Sequence, residues 1–269
     1  MDWSKTKTIF IMVFLMLDIF LVFQFLSKRD INEFGYLSET TFEDNLKEDN
    51  ITLPSLPKVK LNQSILQAES KIFTEEDTKK LANQEISIQR QTTLTGKFKK
   101  AINIGDDFDP SDSAELDNFI KDNIFDGSNY KIWSYDRKNN KVVYYQVYKN
   151  KMLYNNAKSK LTLMLNDNQE IVSYEQTYLE IVQPMNRNEE ILRPIEAIEN
   201  LYNTGKIPSD SKVTKVELGY YNLLPPSSDA VSILLTPAWR VVLDEKKDLY
   251  VTAFYGEIIE LDTEKTLME

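Results

Sequence analysis

Cysteine and histidine are both absent from the 269-residue sequence. Without them the chain can form no disulfide framework, and it lacks Cys-His and Ser-His-Asp nucleophilic systems, imidazole general bases and nearly all zinc sites. Glycine is scarce, with seven residues, and none forms the G-x-G-x-x-G or P-loop pattern that binds nucleotide phosphates. These absences exclude most nucleophilic and zinc chemistry and disfavour a nucleotide site.

The acidic cluster "DDFDPSD", residues 106–112, is the densest in the sequence. As a calcium loop beginning at Asp107 it would place Asp112 at the glycine position and Asn118 at the bidentate glutamate position. A turn at Pro110 that leads into an Asp112-capped helix is therefore the favoured interpretation. We expect no metal, no cofactor and no catalytic residue, although a pair of carboxylates remains chemically possible.

Acidic residues exceed basic ones, 42 Asp plus Glu against 32 Lys plus Arg, for a net charge of −10. Lys5 and Lys7 balance Asp2 and Asp18 in the first 26 residues, so the whole net charge lies after them. Such a chain is repelled by polyanions, which disfavours nucleic acid, anionic lipid surfaces and phosphate-rich wall polymers as main ligands.

An apolar run covers residues 9–26, where Asp18 and Gln24 are the only polar side chains. With Thr8 it is long enough for about 28 Å of helix, close to the roughly 30 Å of bilayer hydrocarbon. No A-x-A-like cleavage site or lipobox cysteine follows it. The sequence predicts a permanent transmembrane helix at 8–26 after a head at 1–7.

Orientation is not decided by charge, since Lys5 and Lys7 before the helix are matched by Lys28 and Arg29 after it. The short head favours a signal anchor with a cytoplasmic N-terminus and an extracellular C-terminal region at the cell membrane. Residues 27–50 are predicted as a juxtamembrane connector or a short helix.

The remaining sequence predicts an α+β fold of antiparallel sheets with helices packed on one face. Predicted helices are 74–83, 111–125 with an Asp112 to Glu115 capping box, and 193–206 with Pro194 in the first turn and Gly205 as the stop. Predicted strands are 130–135, 141–148, 160–166, 170–178, 212–222, 232–243, 249–254 and 257–261. This order predicts two repeated helix-plus-four-strand units, in lobes at 51–183 and 184–269.

Aromatic residues are assigned mainly to the core. Tyr144 and Tyr145 point to opposite faces of strand 141–148, which favours a strand buried on both faces over a ligand platform. Trp239 is also predicted to lie in the core. Tyr220 and Tyr221 precede a loop and are typical either of a docking edge or of a covered one.

Two segments carry a resemblance to a known family: "MDWSKTKTIFIMVFLMLDIFL" at the start and "TPAWRVVLDEKKDLYVTAFYGEIIEL" near the end. The chain resembles the YycI (WalI) family of membrane-anchored regulators, which accompany the WalK/WalR (YycG/YycF) two-component system of Gram-positive bacteria. The resemblance implies a cytoplasmic head, one transmembrane helix and an extracellular domain, without enzymatic activity or cofactor. It implies work with a YycH (WalH) type partner to adjust the sensor histidine kinase WalK (YycG), which controls cell-wall metabolism.

A buried acid in a membrane span commonly faces protein rather than lipid. On a helix Asp18 shares a stripe with Phe14, Leu21 and Phe25, and Gln24 points about 120° away. We expect this stripe to bind neighbouring spans, with Gln24 as a second polar contact. The simpler alternatives are a neutralised acid tolerated in a lone anchor and a glutamine near the headgroups.

Two other functions remain open at this point. An extracellular ligand- or peptide-sensing module would need a pocket, and a carboxylate-dependent wall hydrolase would need paired acids in a cleft. The sign of any effect on a kinase cannot be read from these residues.

Overall fold

The computed structural model describes residues 3–30, 35–103, 114–185, 188–223 and 232–260. Within these ranges the side chains of residues 4–6, 23–30 and 35–41 are not part of the description. The chain divides into two compact units. One covers residues 1–52 and 208–212, and the other covers residues 53–207 and 213–269.

The first unit contains two helices, α1 (Trp3–Asp30) and α2 (Gly35–Glu48). The connector predicted at 27–50 is therefore largely helical. After α2 the chain meets the segment 208–212, where the Asp210 N–H donates to the Asp49 carbonyl at 2.8 Å. The Asn50 side chain donates to Asp210 Oδ1 at 2.8 Å, and Thr52 forms a parallel bridge with Lys212.

The second unit is a mixed α+β fold dominated by strands. Its helices are α3 (Glu75–Thr78), α4 (Ala114–Asn123) and α5 (Pro194–Asn203). Its strands are β1 (Asn62–Gln63), β2 (Leu66–Ser70), β3 (Gln84–Gln89), β4 (Thr93–Ile102), β5 (Tyr130–Asp136), β6 (Lys141–Tyr148), β7 (Lys151–Tyr154), β8 (Lys160–Leu165), β9 (Ile171–Thr177), β10 (Leu179–Pro184), β11 (Glu189–Glu190), β12 (Val213–Tyr221), β13 (Ser232–Leu243), β14 (Lys247–Thr252) and β15 (Ile258–Ile259).

Thirteen of these strands form one sheet within the described residues, in the order β10-β2-β13-β12-β7-β6-β8-β9-β4-β3 along its main path. Off this path, β14 pairs with β13 and β15, and β5 pairs with β6. Pairing among the described strands is antiparallel, as predicted, with one exception: β7 and β12 are parallel and share only Tyr220↔Leu153 and Tyr221↔Tyr154. Strands from both predicted lobes belong to this sheet, and the lobe boundary stays a prediction.

The chain order after α5 is four strands, as predicted, but seven strands lie between α4 and α5. The additional strands are β7, β10 and β11. Strand β7 has only four residues, and the sequence analysis missed it. It follows a two-residue turn at Lys149 and Asn150, whose φ angles of 47° and 63° fit the tight turn of a hairpin. The duplication of the two units therefore stays a prediction.

Hairpin turns account for the other charged runs between strands. Asp244 and Glu245 have positive φ in the β13–β14 turn, and the Lys246 N–H donates to the Leu243 carbonyl at 3.0 Å. In the β5–β6 turn the Asp136 carboxylate accepts from the backbone N–H of Lys138 and of Asn139, each at 3.1 Å. The solvated turns are confirmed at Arg137–Asn140 and at Asp244–Lys246, whereas Lys247 and Asp248 of the second predicted run belong to β14.

Two helices lie where the sequence predicts them. Leu116 and Ile120 of α4, and Ile124 directly after it, are buried in a core with strands of the β3 to β9 half of the sheet. In α5, Pro194 occupies the first turn, and Gly205 follows the helix with φ 69°. The capping residue Asp112 and the acidic cluster 106–112 lie outside the described residues.

The third predicted helix, 74–83, is wrong in length because α3 is a single turn. Thr74 caps it as expected: its N–H donates to Asp77 Oδ2 at 2.8 Å. The chain then turns at Asn83, with φ 61°, so that Gln84 can enter β3 opposite Phe98. Sheet pairing thus limits the helix.

Buried aromatic residues confirm most of the core predictions. Tyr144 and Tyr145 are both buried although they face opposite sides of β6, and Trp239 is fully buried with its indole N–H donating to the Leu192 carbonyl at 2.9 Å. Tyr220 is buried and pairs with β7, so this part of the edge is covered.

Alkaline pH is expected to unfold the second unit. Burial raises the pKa of Tyr220 to about 12 and also raises the pKa of five other tyrosines: Tyr130, Tyr144, Tyr154, Tyr174 and Tyr250. Because these folded values exceed the unfolded value of about 10, their contribution to the unfolding free energy is complete below about pH 10. Above about pH 10, each of these tyrosines lowers the free energy of unfolding by about 1.4 kcal/mol per pH unit until the pH reaches its folded pKa.

Urea unfolding at pH 8, 10 and 11, followed by tryptophan fluorescence, measures this loss. Tyr144→Phe should remove the contribution of one tyrosine to the fall in unfolding free energy above about pH 10. It should cost little stability at neutral pH, since the Tyr144 hydroxyl has no hydrogen-bond partner within the described residues. A titration of all fourteen tyrosines near pH 10 with the fold intact would contradict the prediction.

Candidate functional site

The predicted docking stripe lies on α1, whose continuous helical backbone places Phe14, Asp18, Leu21 and Phe25 along one side. Phe14 is 62% exposed, Leu21 is 50% exposed and Asp18 is also exposed. The side chains of Gln24 and Phe25 lie outside the described residues. The helical register therefore places these four residues on one side of α1, as predicted, and the role of this stripe as a binding surface stays a prediction.

Exposed large apolar side chains are concentrated on α1 in the described part of the chain, at most positions from Ile9 to Val22. Within the described residues, no helix is both long enough and apolar enough to cross a membrane. The side chains described in α1 are those of Trp3 and residues 7–22.

A second candidate is a groove of about 600 Å³ in the second unit. One wall is β12, through residues 214–218, and another is the β6–β7 hairpin, at 147–154. Residues of the segment 54–63 and Lys131 on β5 complete the lining. We call this space the lysine groove because five of its lining residues are lysines.

The strand β12 has an open edge along the lysine groove. Tyr220 and Tyr221 pair with β7, but residues 214–218 have a strand partner only on the β13 side within the described residues. Opposite Tyr220 stands Pro237, which has no N–H and whose carbonyl accepts from Ala253 at 2.9 Å on the other side of β13. Since the direction of backbone groups alternates along a strand, Val216 and Leu218 present their N–H and C=O groups to the groove, as Tyr220 does to β7.

Positive charge dominates the lining of the lysine groove. Its charged residues are Lys60, Lys131, Lys149, Lys151, Lys215 and Glu217. The only carboxylate, Glu217, is already paired with Lys215 at 2.8 Å and with Arg240 at 3.0 Å. Lys60, Lys149 and Lys151 form no ion pair within the described residues. The groove is therefore cationic in a chain whose net charge is −10.

The charged form of Lys151 is destabilised in this arrangement. Burial and the nearby positive charge of Lys149 both lower the pKa of Lys151. An anion in the groove would offset both effects, because it would supply the opposite charge that the protein does not.

Arg240 on β13 fixes the position of Glu217, which lines the groove. Its guanidinium bonds to Glu217 on β12 and, through Nε and Nη2, to Asp248 on β14 at 2.9 and 2.7 Å. Burial disfavours the charge, but Asp248, Tyr250 and Glu217 outweigh it and raise the pKa of Arg240. Three strands are thus joined through one largely buried cation.

The Trp133 ring covers the same guanidinium, with Arg240 Cζ 4.2 Å from the ring centroid. Trp133 also contacts Tyr145 and Tyr154, at centroid distances of 5.5 and 6.2 Å, and Tyr154 contacts Tyr250 at 5.4 Å. Side chains from both halves of the sheet therefore pack around Arg240.

Within the described ranges, no group of three or more acidic residues is arranged to hold a metal ion. The expectation that the chain carries no metal, cofactor or catalytic residue stays a prediction.

The sequence analysis missed the lysine groove. Lys149 and Lys151 flank a recognisable hairpin turn, which was a local signal. Lys60, Lys131 and Lys215 are far apart in sequence. The pairing of β5 with β6 and of β7 with β12 brings Lys131 and Lys215 to the hairpin, and Lys60 comes from the segment 54–63. Periodicity within one segment cannot reveal such a cluster.

Comparisons with known proteins identify one family. Residues 32–254 match the model of the YycI protein family. No curated protein matches the chain. Among solved structures, an uncharacterised protein from Eubacterium rectale is similar, with 10% identity, a TM-score of 0.48, and coverage of 80% of this chain and 92% of that one. The C-terminal domain of YpeB from Bacillus megaterium is similar with 11% identity, a TM-score of 0.37, and coverage of 71% and 100%.

Arg240→Met should lower the free energy of unfolding by about 3 kcal/mol, because it leaves the partly buried carboxylate of Asp248 without its cation and Glu217 with Lys215 alone. Urea unfolding monitored by tryptophan fluorescence measures the change. Lys246→Met, on the exposed β13–β14 turn, removes the same kind of charge from solvent and should change stability by less than about 0.5 kcal/mol. Equal effects of the two substitutions would show that Arg240 does not hold the strands together.

Proposed function

The chain belongs to the YycI family, and from this premise we propose that it is a membrane-anchored regulator that modulates a WalK-type sensor histidine kinase together with a YycH-type partner. The family implies regulation of the WalK (YycG) system. The match to its model over residues 32–254 is the observation that carries the proposal.

We assign two parts of the chain to this task. Residues 8–26 anchor the protein at the cell membrane, with the head 1–7 in the cytoplasm, and the residues after the anchor lie outside the cell. The concentration of exposed apolar side chains on α1 supports this assignment, since such a surface is stable in lipid or against other apolar spans.

Asp18 is the proposed contact within the membrane. It stands between Phe14 and Leu21 on one side of α1, and a carboxyl group in an apolar environment gains most from a polar group on a neighbouring span. A hydrogen bond of this kind contributes about 0.6 to 2 kcal/mol. Gln24, pointing about 120° away, offers a second polar contact to a different span.

Regulation then follows from unequal binding. The anchor and the extracellular unit contact one signalling state of the kinase better than the other, and the populations shift by that difference. A coupling of about 1 to 3 kcal/mol changes kinase output by about 5- to 150-fold. The proposal requires no catalytic step by this chain.

Asp18→Leu should weaken both binding and regulation, by about 3- to 30-fold if the lost hydrogen bond contributes about 0.6 to 2 kcal/mol. The full-length chain and a WalK-type kinase are reconstituted in lipid nanodiscs, with and without a YycH-type partner. Co-purification and autophosphorylation are measured together.

Asp18→Asn should retain most of the effect, because the amide still forms hydrogen bonds. Met16→Leu lies about 200° around the helix and is the matched control for a change on the other side. Unchanged co-purification and unchanged autophosphorylation in Asp18→Leu would reject the stripe as the docking surface.

A further inference from the structure

We propose that the lysine groove binds an extended acidic segment of a partner protein, which adds as a strand to the open edge of β12. The inference goes beyond the proposed function, because it concerns the occupant of this groove and does not depend on which kinase the chain regulates.

The backbone of β12 supplies the first part of the argument. Val216 and Leu218 direct their N–H and C=O groups into the groove and have no strand partner there within the described residues. An open strand edge is a template for another extended chain, which binds it through main-chain hydrogen bonds. Residues 214–218 offer room for about five residues of such a chain, or roughly 17 Å.

The neighbouring segment does not fill this role itself. Pro54 and Pro57 lie in the wall at 54–63, and neither has an N–H with which to continue a ladder beside β12. That stretch has no strand assignment between residues 54 and 60. The wall therefore borders the groove without closing the edge.

Charge supplies the second part of the argument. The groove presents five ammonium groups, and its one carboxylate, Glu217, is already paired with Lys215 and Arg240. A ligand with several carboxylates complements this surface and gains in association rate as well as in affinity. An acidic polypeptide supplies both the main-chain hydrogen bonds for β12 and the negative charge for the lysines. A phosphate-bearing polymer supplies only the charge, since it has no backbone amides.

The apolar floor adds a third requirement. Val216 and Leu218 are 6% and 7% exposed, and Met152 and Val147 line the hairpin wall. In an extended chain, alternate side chains point to opposite faces. A segment in which acidic and apolar residues alternate would place carboxylates toward the lysines and small apolar side chains toward the floor.

The test uses the full-length chain in a neutral detergent and a fluorescein-labelled peptide of alternating glutamate and valine, eight residues long. We expect binding by fluorescence polarisation that weakens as salt is added. Lys149→Glu with Lys151→Glu should weaken binding at least tenfold. Lys99→Glu with Lys100→Glu, on β4, makes the same charge change at exposed positions and should change binding less than twofold.

Two further ligands distinguish the contribution of backbone hydrogen bonds to binding from the contribution of charge. The same peptide with N-methyl groups on alternate amides should lose at least tenfold in affinity when the methylated amides are those that face β12, and little when the other set is methylated. Polyphosphate of matched charge should bind at least tenfold more weakly than the peptide.

Circular dichroism of each variant shows whether the fold is retained. Lys149 lies in a turn, Lys99 and Lys100 are exposed on β4, and Lys151 is half-buried at the start of β7. Equal binding by the Lys149→Glu, Lys151→Glu variant and the control would overturn the proposal. So would polyphosphate binding as tight as that of the peptide with no effect of methylation, because the groove would then be a site for anionic polymers. Since no kinase is present, these outcomes are independent of the proposed function.

Discussion

The two-residue parallel pairing of β7 with β12 is the constraint on which the sheet depends. It is the single connection, along the main path of the described strands, between the β10, β2, β13, β12 half and the β7, β6, β8, β9, β4, β3 half. Gly219 permits it: a Cβ at that position would lie 2.5 Å from the Met152 carbonyl oxygen and 2.3 Å from the Tyr154 ring. A side chain there would push the two halves apart.

Packing reinforces this short connection. Tyr154, next to Gly219, belongs to the aromatic group around Arg240, which includes Trp133 from one half of the sheet and Tyr250 from the other. The same arrangement creates the lysine groove, because β7 separates from β12 as soon as the pairing ends. The structural join and the candidate ligand site are therefore two consequences of one geometry, and a change at Gly219 would disturb both.

Local patterns in the sequence predicted much of this fold. The apolar face of α4, Pro194 and Gly205 at the ends of α5, and the alternation in β6 are encoded within short segments, and the structure has them close to the predicted bounds. The length of α3 was not predictable locally, since it is limited by the entry of Gln84 into β3. The parallel pairing and the lysine groove depend on residues 60 or more positions apart, which periodicity cannot relate. For the stripe on α1, the sequence predicted the helical register of Phe14, Asp18 and Leu21, and the role of the stripe as a binding surface stays a prediction.

The placement of β2 has a consequence for how the chain acquires its fold during synthesis. Its neighbours are β10 and β13, and the side chains of Gln67 and Ser232, which bond at 3.2 Å, are 165 positions apart. Because a polypeptide emerges from the ribosome N-terminus first, Leu66–Ser70 has no neighbouring strand until β10 has been made, and its second edge stays open until β13 follows. A nascent chain of this kind exposes an unpaired strand edge for most of its translation, so holding by a chaperone would protect it until β13 arrives.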